Sequence, residues 1–240
     1  MTGVLLLHGS SGAPDLDRAR LVEAAGYDVL VPRWDVTYEV PLESFPVGEI
    51  AARNDRVVVM GSSWGAEAAL LLGVLDERVD SVVAFAPSAY VWGRTLEDGR
   101  QRSAWTWQGE PLPFVPYDED WKPDEEPPSY TGLYRQSVQV AGAAAEPARI
   151  PVERIRGEVL LVVGGDDKVW PAAEFADEIT RRRGDRPTRT VAVAAAGHRA
   201  VLPGEEPKTA GKRMARGGTE AADRELGRLA WPEILRVLAG

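Results

Sequence analysis

The chain has 240 residues, a formal net charge of −9 and no cysteine. Its length suits one domain with a buried core, and the lack of cysteine excludes disulfides, a thiolate nucleophile and cysteine-ligated metal sites. The negative charge argues against nucleic-acid binding, and no signal-peptide pattern or apolar run near the ~20 residues of a membrane span is present, so we expect a cytoplasmic protein.

Short apolar runs alternate with amphipathic segments along most of the chain. The strands lack polar alternation, which is typical of strands buried on both faces of a parallel sheet. Repetition of strand and helix favours right-handed βαβ units, so we predict an α/β fold with a mostly parallel, twisted sheet flanked by helices in one domain, 1–240. In chain order, the predicted elements are a strand at 4–7, a helix at about 15–25, strands at 29–31 and 57–60, a helix at 66–73, strands at 82–86 and 159–163, a helix at about 171–183, a strand at 190–194 and a helix at about 220–238.

Two stretches interrupt this rhythm. Residues 88–151 are rich in Pro, Trp, Gly and Tyr and lack long periodicity, and their four tryptophans argue against disorder because aromatic rings favour burial. We predict that they form an insertion that caps the carboxyl edge of the sheet, with the acidic run at 118–126 as a solvated loop. Residues 203–218 are polar and glycine-rich, and we expect a mobile surface loop there.

A G-x-S-x-G motif, with the sequence Gly-Ser-Ser-Trp-Gly, occupies residues 61–65. An apolar strand leads into it and an alanine- and leucine-rich helix follows it, which is the strand–turn–helix context of a nucleophile elbow. Glycines at Gly61 and Gly65 allow the tight turn, and Ser63 then lies at a helix N-terminus, where the helix dipole favours developing negative charge. The alternative is a plain turn in which Ser63 caps the helix.

A serine nucleophile needs a base, and the chain has two histidines. His198 follows the last predicted strand and is our predicted catalytic base, although a loop histidine can also be an ordinary surface residue. Asp166 and Asp167 follow the strand at 159–163, so the chain order is serine, aspartate, histidine, as in α/β-hydrolases. Either aspartate could accept the imidazole Nδ1–H and orient the base, or cap the following helix.

The oxyanion of a tetrahedral intermediate needs backbone N–H donors. We assign one donor to Trp64, the residue after the predicted nucleophile, and the other to Ser10 in the loop after the first strand, with Ser11 as the neighbouring choice. His8, at the same strand end, is expected to brace this loop. No metal or organic cofactor is implied. The candidate substrate-binding residues are Ser11, Trp92, Trp105, Trp107 and Trp170.

Beyond the elbow, several segments form a more specific pattern than G-x-S-x-G alone. They are G-S-S-W-G-A-E-A-A-L-L-L at 61–72, S-A-Y-V-W at 88–92, G-E-P-L-P-F-V-P at 109–116, I-P-V-E-R-I at 150–155, G-G-D-D-K-V-W-P at 164–171 and G-G-T at 217–219. These segments resemble the C-terminal catalytic domain that acyl-CoA thioesterases share with bile acid-CoA:amino acid N-acyltransferase, in a bacterial stand-alone form. The resemblance runs from about residue 63 to the C-terminus. It implies the α/β-hydrolase fold and places the triad acid at the second aspartate, Asp167.

The same resemblance implies an acyl-CoA-type substrate, with departures at the elbow. The amino-acid transferase has a cysteine nucleophile where this chain has Ser63, which favours hydrolysis over aminolysis, and Trp64 stands where lysine often follows the nucleophile. Binding the CoA nucleotide would need a basic groove; scattered basic residues are otherwise ordinary surface. The candidates for that groove are Arg94, Arg100, Arg102, Lys122 and Arg135.

These observations predict a serine hydrolase that cleaves a small-molecule ester or thioester through an acyl-enzyme. Two other hypotheses are an acyltransferase or cyclase with an amine or alcohol acceptor, and a non-catalytic binding module on a hydrolase scaffold. The tryptophan-rich insertion suggests an apolar or ring-bearing acyl group. We expect neither nucleic-acid nor membrane partners, and the sequence does not indicate the oligomeric state.

Overall fold

A parallel sheet of six strands forms the centre of the protein, whose computed structural model describes residues 1–35, 37–207 and 212–240. The strands are β1 (Thr2–Leu7), β2 (Asp28–Leu30), β3 (Arg56–Ser62), β4 (Ser81–Phe85), β5 (Val159–Gly164) and β6 (Thr188–Val193). Their order across the sheet is β6-β5-β4-β3-β1-β2, and every neighbouring pair is parallel. All loops that leave the carboxyl ends of these strands therefore meet at one edge of the sheet.

Helices cover both faces of the sheet. Successive residues of β1 alternate between two apolar cores: Leu5 and Leu7 belong to one, Val4 and Leu6 to the other, and all four are fully buried. This burial on both faces explains the unbroken apolar run, because neither face is left to water. The helices are α1 (Leu16–Ala24), α2 (Val47–Ala51), α3 (Trp64–Leu75), α4 (Thr131–Ala141), α5 (Ala172–Arg183) and α6 (Glu220–Ala239). Residues of α2, α3 and α5 belong to the first core, and residues of α1 and α6 to the second.

Each strand and helix predicted from the sequence is present, with ends shifted by a few residues. Two helices, α2 and α4, were not predicted. In α4 the buried positions include Thr131, Tyr134 and Ser137, so its inward face has helical spacing but little aliphatic character, and the apolar periodicity is too weak to see. Among the described residues, no helix combines the length and apolar character that crossing a membrane requires.

The insertion at 88–151 lies between β4 and β5 and contains structure of its own. A hairpin pairs Gly93–Thr95 with Gln101–Ser103, and Trp105–Trp107 pairs with both Glu110–Pro111 and the distant Val40–Pro41. Apart from two half-buried residues, Asp118 and Trp121, the acidic run at 118–126 is exposed and has no helix or strand.

A buried carboxyl group joins the insertion to α3. Glu67 is fully buried, and its Oε1 accepts hydrogen bonds from the Trp92 amide at 3.1 Å and the Trp105 indole at 2.8 Å. Its Oε2 has no hydrogen-bond partner among the described residues. Burial raises the pKa of Glu67 to about 8, although the two donors and the charge of Arg94 act in the opposite direction. A pKa near 8 favours the neutral carboxylic acid at pH 7.

The protonation of Glu67 predicts that stability falls as pH rises. Between the ordinary glutamate pKa of 4.5 and about 8, the folded state keeps a proton that the unfolded state has released. The free energy of unfolding should then decrease by about 1 kcal/mol per pH unit across this range. Glu67→Gln removes the ionisation while keeping a carbonyl acceptor for both tryptophans, so urea denaturation at pH 5 to 8 should show a smaller decrease.

Glu43→Gln, an exposed control, should retain the wild-type dependence on pH. Equal pH dependence in wild type and Glu67→Gln would mean that Glu67 is ionised in the folded state throughout this range.

The described parts of the 203–218 stretch have no helix or strand and, apart from Glu205, are exposed or half-buried, as a surface loop should be. Glu205 is buried and pairs with Arg18 of α1. Gly217 and Gly218 have positive φ angles of 68° and 71°, and a Cβ at either would overlap backbone atoms of Asp166 or Gly197. Close approach of two loops explains the glycines. Residues 208–211 lie outside the described residues.

Candidate active site

Ser63 lies in a strained turn between β3 and α3. Its φ is 58° and its ψ −119°, a conformation that is costly for a residue with a side chain and that surrounding structure must enforce. A Cβ at Gly61 would overlap the Gly65 carbonyl, and one at Gly65 would overlap the Leu7 and His8 carbonyls. The Ser63 amide donates to the Phe85 carbonyl at 2.8 Å. The two motif glycines are thus required by backbone contacts, and the Ser63 side chain faces a cavity.

His198 and Asp167 meet at the carboxyl ends of β6 and β5. His198 Nδ1 lies 2.7 Å from Asp167 Oδ2, and both side chains are largely buried. Asp167 Oδ1 accepts the amides of Val169 at 2.8 Å and Trp170 at 3.3 Å, so the carboxylate is held from both sides. A carboxylate at Nδ1 favours the tautomer that carries its proton there, which leaves Nε2 basic.

Asp166, the other aspartate considered, has a different role in the structure. Its Oδ2 accepts the Gly218 amide at 2.8 Å, and it forms a half-exposed ion pair with Lys168. The Gly218 amide, with Lys168, lowers its pKa despite some desolvation. The geometry therefore brings Asp167, and not Asp166, to His198.

The loop after β1 approaches Ser63 closely. A Cβ at Gly9 would stand 3.0 Å from the Ser62 carbonyl oxygen and 3.3 Å from Ser63 Cβ, which is closer than most Cβ contacts, so glycine suits this close approach. Ser10 and Ser11 follow and line the same cavity as Ser63 and His198. Trp64 begins α3 with its ring buried, and the Arg94 guanidinium lies 5.0 Å from the centre of that ring.

His8 is buried and makes structural contacts. Its ring stacks on Trp34 with centroids 5.0 Å apart. Its Nε2 accepts the Trp34 amide at 3.3 Å, and its Nδ1 lies 2.8 Å from the Gly9 carbonyl. This pair of contacts fits a neutral imidazole that donates from Nδ1, and it braces the start of the loop that carries Ser10.

The cavity that Ser63 and His198 share has a volume of about 120 Å³. Loops from four regions, at about 9–15, 62–63, 198–206 and 212–216, supply most of its wall. Sequence reasoning missed its cationic side chains, although Arg199 adjoins the predicted base. The charged residues of the wall are Asp15, Arg18, Arg199, Glu205, Glu206, Lys212 and Arg216.

The predicted substrate-binding tryptophans are outside the cavity wall, although the Trp170 ring meets the His198 ring edge-on with centroids 5.9 Å apart. Trp92, Trp105 and Trp170 are at most 1% exposed, and neither they nor the half-buried Trp107 line it. They pack with other aromatic rings: Trp92 meets Tyr134 edge-on at 4.6 Å, and Trp170 meets Tyr134 at 5.5 Å. Composition cannot distinguish a ring that packs in the core from one that contacts a ligand, so a role of these tryptophans in substrate binding stays a prediction. Ser11 alone of the predicted set lines the cavity.

The five basic residues considered for a nucleotide groove are also dispersed. Arg100, Arg102 and Arg135 form ion pairs with Asp98, Glu39 and Glu174, respectively. Arg94 lies over the Trp64 ring, while Lys122 and Arg135 line a second, separate cavity. These residues therefore do not form one basic groove.

Comparisons with known proteins agree with this architecture. A family profile described as BAAT / acyl-CoA thioester hydrolase C terminal matches residues 50–238. Comparison with curated proteins gave no match. Among solved structures, an esterase of Pyrococcus furiosus is similar with a TM-score of 0.51 and 14% identity, covering 81% of this chain and 74% of that one.

A dienelactone hydrolase-like promiscuous phosphotriesterase from metagenomic libraries matches with a TM-score of 0.50 and 13% identity, covering 100% of this chain and 86% of that one. At these identities the likeness concerns the fold, and it confirms the predicted α/β-hydrolase fold. The family match extends over most of the chain, including the elbow, both aspartates and His198. The chain therefore belongs to the BAAT / acyl-CoA thioester hydrolase C-terminal family.

Proposed function

We propose that this family member is a serine hydrolase that cleaves an ester or thioester through a covalent acyl-enzyme. Ser63 is the nucleophile, His198 the general base and Asp167 the residue that orients it. The observation that carries the proposal is the convergence of Ser63, on a positive-φ elbow, and His198, held 2.7 Å from Asp167, on one cavity. This arrangement has the roles of a Ser-His-Asp triad.

The first half of the reaction acylates Ser63. His198 Nε2 takes the hydroxyl proton as Ser63 Oγ attacks the substrate carbonyl, and Asp167 stabilises the imidazolium that forms. The amides of Trp64 and Ser10 are the proposed donors to the oxyanion, each contributing roughly 3 kcal/mol in the transition state. The carbonyl then re-forms, the carbon–oxygen or carbon–sulfur bond breaks, and the alcohol or thiol leaves with the proton from His198.

The second half releases the acid. Water loses a proton to His198 and attacks the acyl-enzyme, which passes through the same oxyanion contacts before Ser63 regains its proton. Because one imidazole acts first as base and then as acid, its tautomer matters in both halves. Asp167 controls that tautomer, and its own position is set by the amides of Val169 and Trp170.

Labelling with a fluorophosphonate probe tests the nucleophile. The probe forms a phosphorus–oxygen bond with an activated serine and loses fluoride, so wild type should be labelled and Ser63→Ala should not. The matched control is Ser62→Ala, which removes the neighbouring hydroxyl, and it should keep the label. Mass spectrometry of the digested protein locates the modified residue.

The outcome also decides between chemistry and binding alone. Label at Ser63, together with release of 4-nitrophenol from 4-nitrophenyl butyrate, supports the hydrolase. Label on a different serine, or no label on folded wild type, would contradict the assignment of Ser63 and favour a binding module on a hydrolase scaffold.

A further inference from the structure

Cationic side chains surround the candidate catalytic centre. Arg199, Lys212 and Arg216 line the cavity that contains Ser63 and His198. Arg199 directly follows His198 in the chain, and the Arg216 carbonyl accepts the backbone amide of His198 at 2.9 Å. Both arginines therefore extend from the backbone segments that hold the imidazole, so a group they bind lies close to the reacting atoms.

The cavity has an excess of positive charge that the whole chain lacks. Arg18 and Glu205 also line it, but they neutralise each other in a buried bidentate pair at 2.8 and 3.0 Å. Among the other described lining residues, the three cations face two carboxylates, Asp15 and Glu206. The chain itself carries a net charge of −9, so a positive cavity is a local feature that would concentrate anions at this site.

Arg216 is close enough to Arg199 to disfavour the charge of Arg199. Burial, followed by the charge of Arg216, lowers the pKa of Arg199 to about 10. The side-chain hydrogen bonds of Arg216 among the described residues go to the carbonyls of Lys212 at 2.8 Å and Met214 at 3.4 Å, which have no formal charge. A carboxylate between two guanidinium groups would relieve their repulsion and accept charge-assisted hydrogen bonds from both.

The size of the cavity limits where that anion can be on the substrate. A volume of about 120 Å³ is small beside the roughly 300–1,000 Å³ of typical ligand pockets. In an acyl-CoA, the long pantetheine arm separates the phosphates from the thioester, so they would lie outside a cavity of this size when the carbonyl is at Ser63. An anion bound here must therefore be close to the scissile carbonyl.

We propose that the substrate is a short-chain ester or thioester with a carboxylate near the scissile carbonyl, such as a half-ester of a short dicarboxylic acid, and that Arg199 and Arg216 bind this carboxylate. The proposal rests on the hydrolase function proposed above and specifies its substrate class. Water and the half-ester give the dicarboxylate and the alcohol, by the acyl-enzyme steps already described.

A matched pair of substrates tests the charge preference. Monoethyl glutarate and ethyl valerate have acyl chains of equal carbon number and differ in the terminal carboxylate, and acid release at constant pH reports both. Wild type should have the higher kcat/KM for the half-ester. Arg199→Gln and Arg216→Gln should each lower the ratio of the two kcat/KM values by roughly tenfold or more, because each removes a charged hydrogen-bond donor.

Two further variants separate charge from folding. Arg216→Lys keeps the charge without the planar fork, so it should restore part of the ratio. Arg228→Gln removes an exposed arginine of α6 and should keep the wild-type ratio. An unchanged ratio in both Arg199→Gln and Arg216→Gln, or a wild-type preference for ethyl valerate, would overturn the proposal.

Binding without turnover distinguishes this proposal from the hydrolase assignment. Calorimetry on Ser63→Ala protein should show that monoethyl glutarate binds more tightly than ethyl valerate, with the difference lost when Arg216→Gln is added. That binding result, if wild type hydrolyses neither ester, would refute the chemistry and keep the anion site. Equal binding of the two esters would refute the site. A preference for acetyl-CoA over its N-acetylcysteamine analogue that disappears in Arg216→Gln would mean that the cations bind phosphates of the leaving group. That result would also refute the proposal.

Discussion

Replacing Asp167 with asparagine is expected to lower kcat for ester hydrolysis by about four orders of magnitude while the protein stays folded. Asp167 Oδ1 accepts two backbone amides, from Val169 and Trp170, so the asparagine carbonyl must occupy that side. Its NH₂ group then faces His198 Nδ1. The imidazole would have to accept there and hold its proton on Nε2, which leaves it unable to take the proton of Ser63.

Asp166→Asn is the matched control, because the Asp166 carboxylate binds the Gly218 amide and Lys168, and no hydrogen bond within the described parts of the chain joins it to the imidazole. Its kcat should stay within about tenfold of wild type, since the residues of the triad act as a unit and Asp166 is outside it. Steady-state kinetics with 4-nitrophenyl butyrate and thermal unfolding of each variant provide the comparison. A large loss of kcat in Asp166→Asn, together with a near-normal kcat in Asp167→Asn, would reverse the assignment of the two aspartates.

Replacing Arg18 with methionine is expected to lower the free energy of unfolding by about 3–5 kcal/mol, because it leaves a buried carboxylate unpaired. Arg18 forms two hydrogen bonds with Glu205, and others reach Ser62 Oγ and the Ala200 carbonyl, both at 3.0 Å. Its guanidinium also lies 4.1 Å from the centre of the Phe85 ring. The side chain therefore ties α1 to the elbow and to the loop that follows His198.

Urea denaturation of a double-mutant cycle measures this coupling. Glu205→Gln added to Arg18→Met removes the unpaired charge and should recover much of the loss. Arg20→Met, on the same helix but in an exposed pair with Asp17, should cost less than about 1 kcal/mol. A cost for Arg18→Met as small as that of Arg20→Met would mean that the pair adds nothing to stability.

The pH dependence of the same pair has a definite sign. Burial opposes ionisation of Glu205, but the charge and hydrogen bonds of Arg18 and the Leu202 amide together keep its pKa below the ordinary value of 4.5. Its contribution to stability is therefore present above pH 4.5 and is lost as pH falls through the lower, folded-state pKa. Glu205→Gln should show less acid destabilisation than wild type in this range.

Much of the sheet could be predicted because its signals are local. Strands such as β1 and β3 are buried on both faces, so each appears as an unbroken apolar run that needs no knowledge of its neighbours. The helix α4 was missed for the opposite reason: its buried face includes Thr131, Tyr134 and Ser137. Those side chains are buried only because distant parts of the chain, including the amide of Asp118 on Ser137 Oγ at 2.9 Å, supply their partners.

The candidate site likewise has features that local sequence predicts and features that depend on contacts between distant segments. Local sequence was enough to predict the elbow at Ser63 and the chain order of serine, aspartate and histidine, because backbone sterics at Gly61 and Gly65 act between near neighbours and strand ends imply a shared edge. The choice of Asp167 over Asp166 came from the family resemblance, and a single side-chain contact in the structure, 2.7 Å to His198 Nδ1, agrees with it.

Which aromatic and charged residues reach the cavity depends on contacts between distant segments of the chain. Tryptophans have the same composition signal whether they pack against other core rings, as Trp92 and Trp170 each do against Phe175, or bind a ligand. Arg199 and Arg216 stand 17 positions apart in the chain and face the same cavity because two loops cross beside Gly197 and Gly217. Contacts between distant segments depend on how loops pack in three dimensions, and no local pattern of residues encodes that packing.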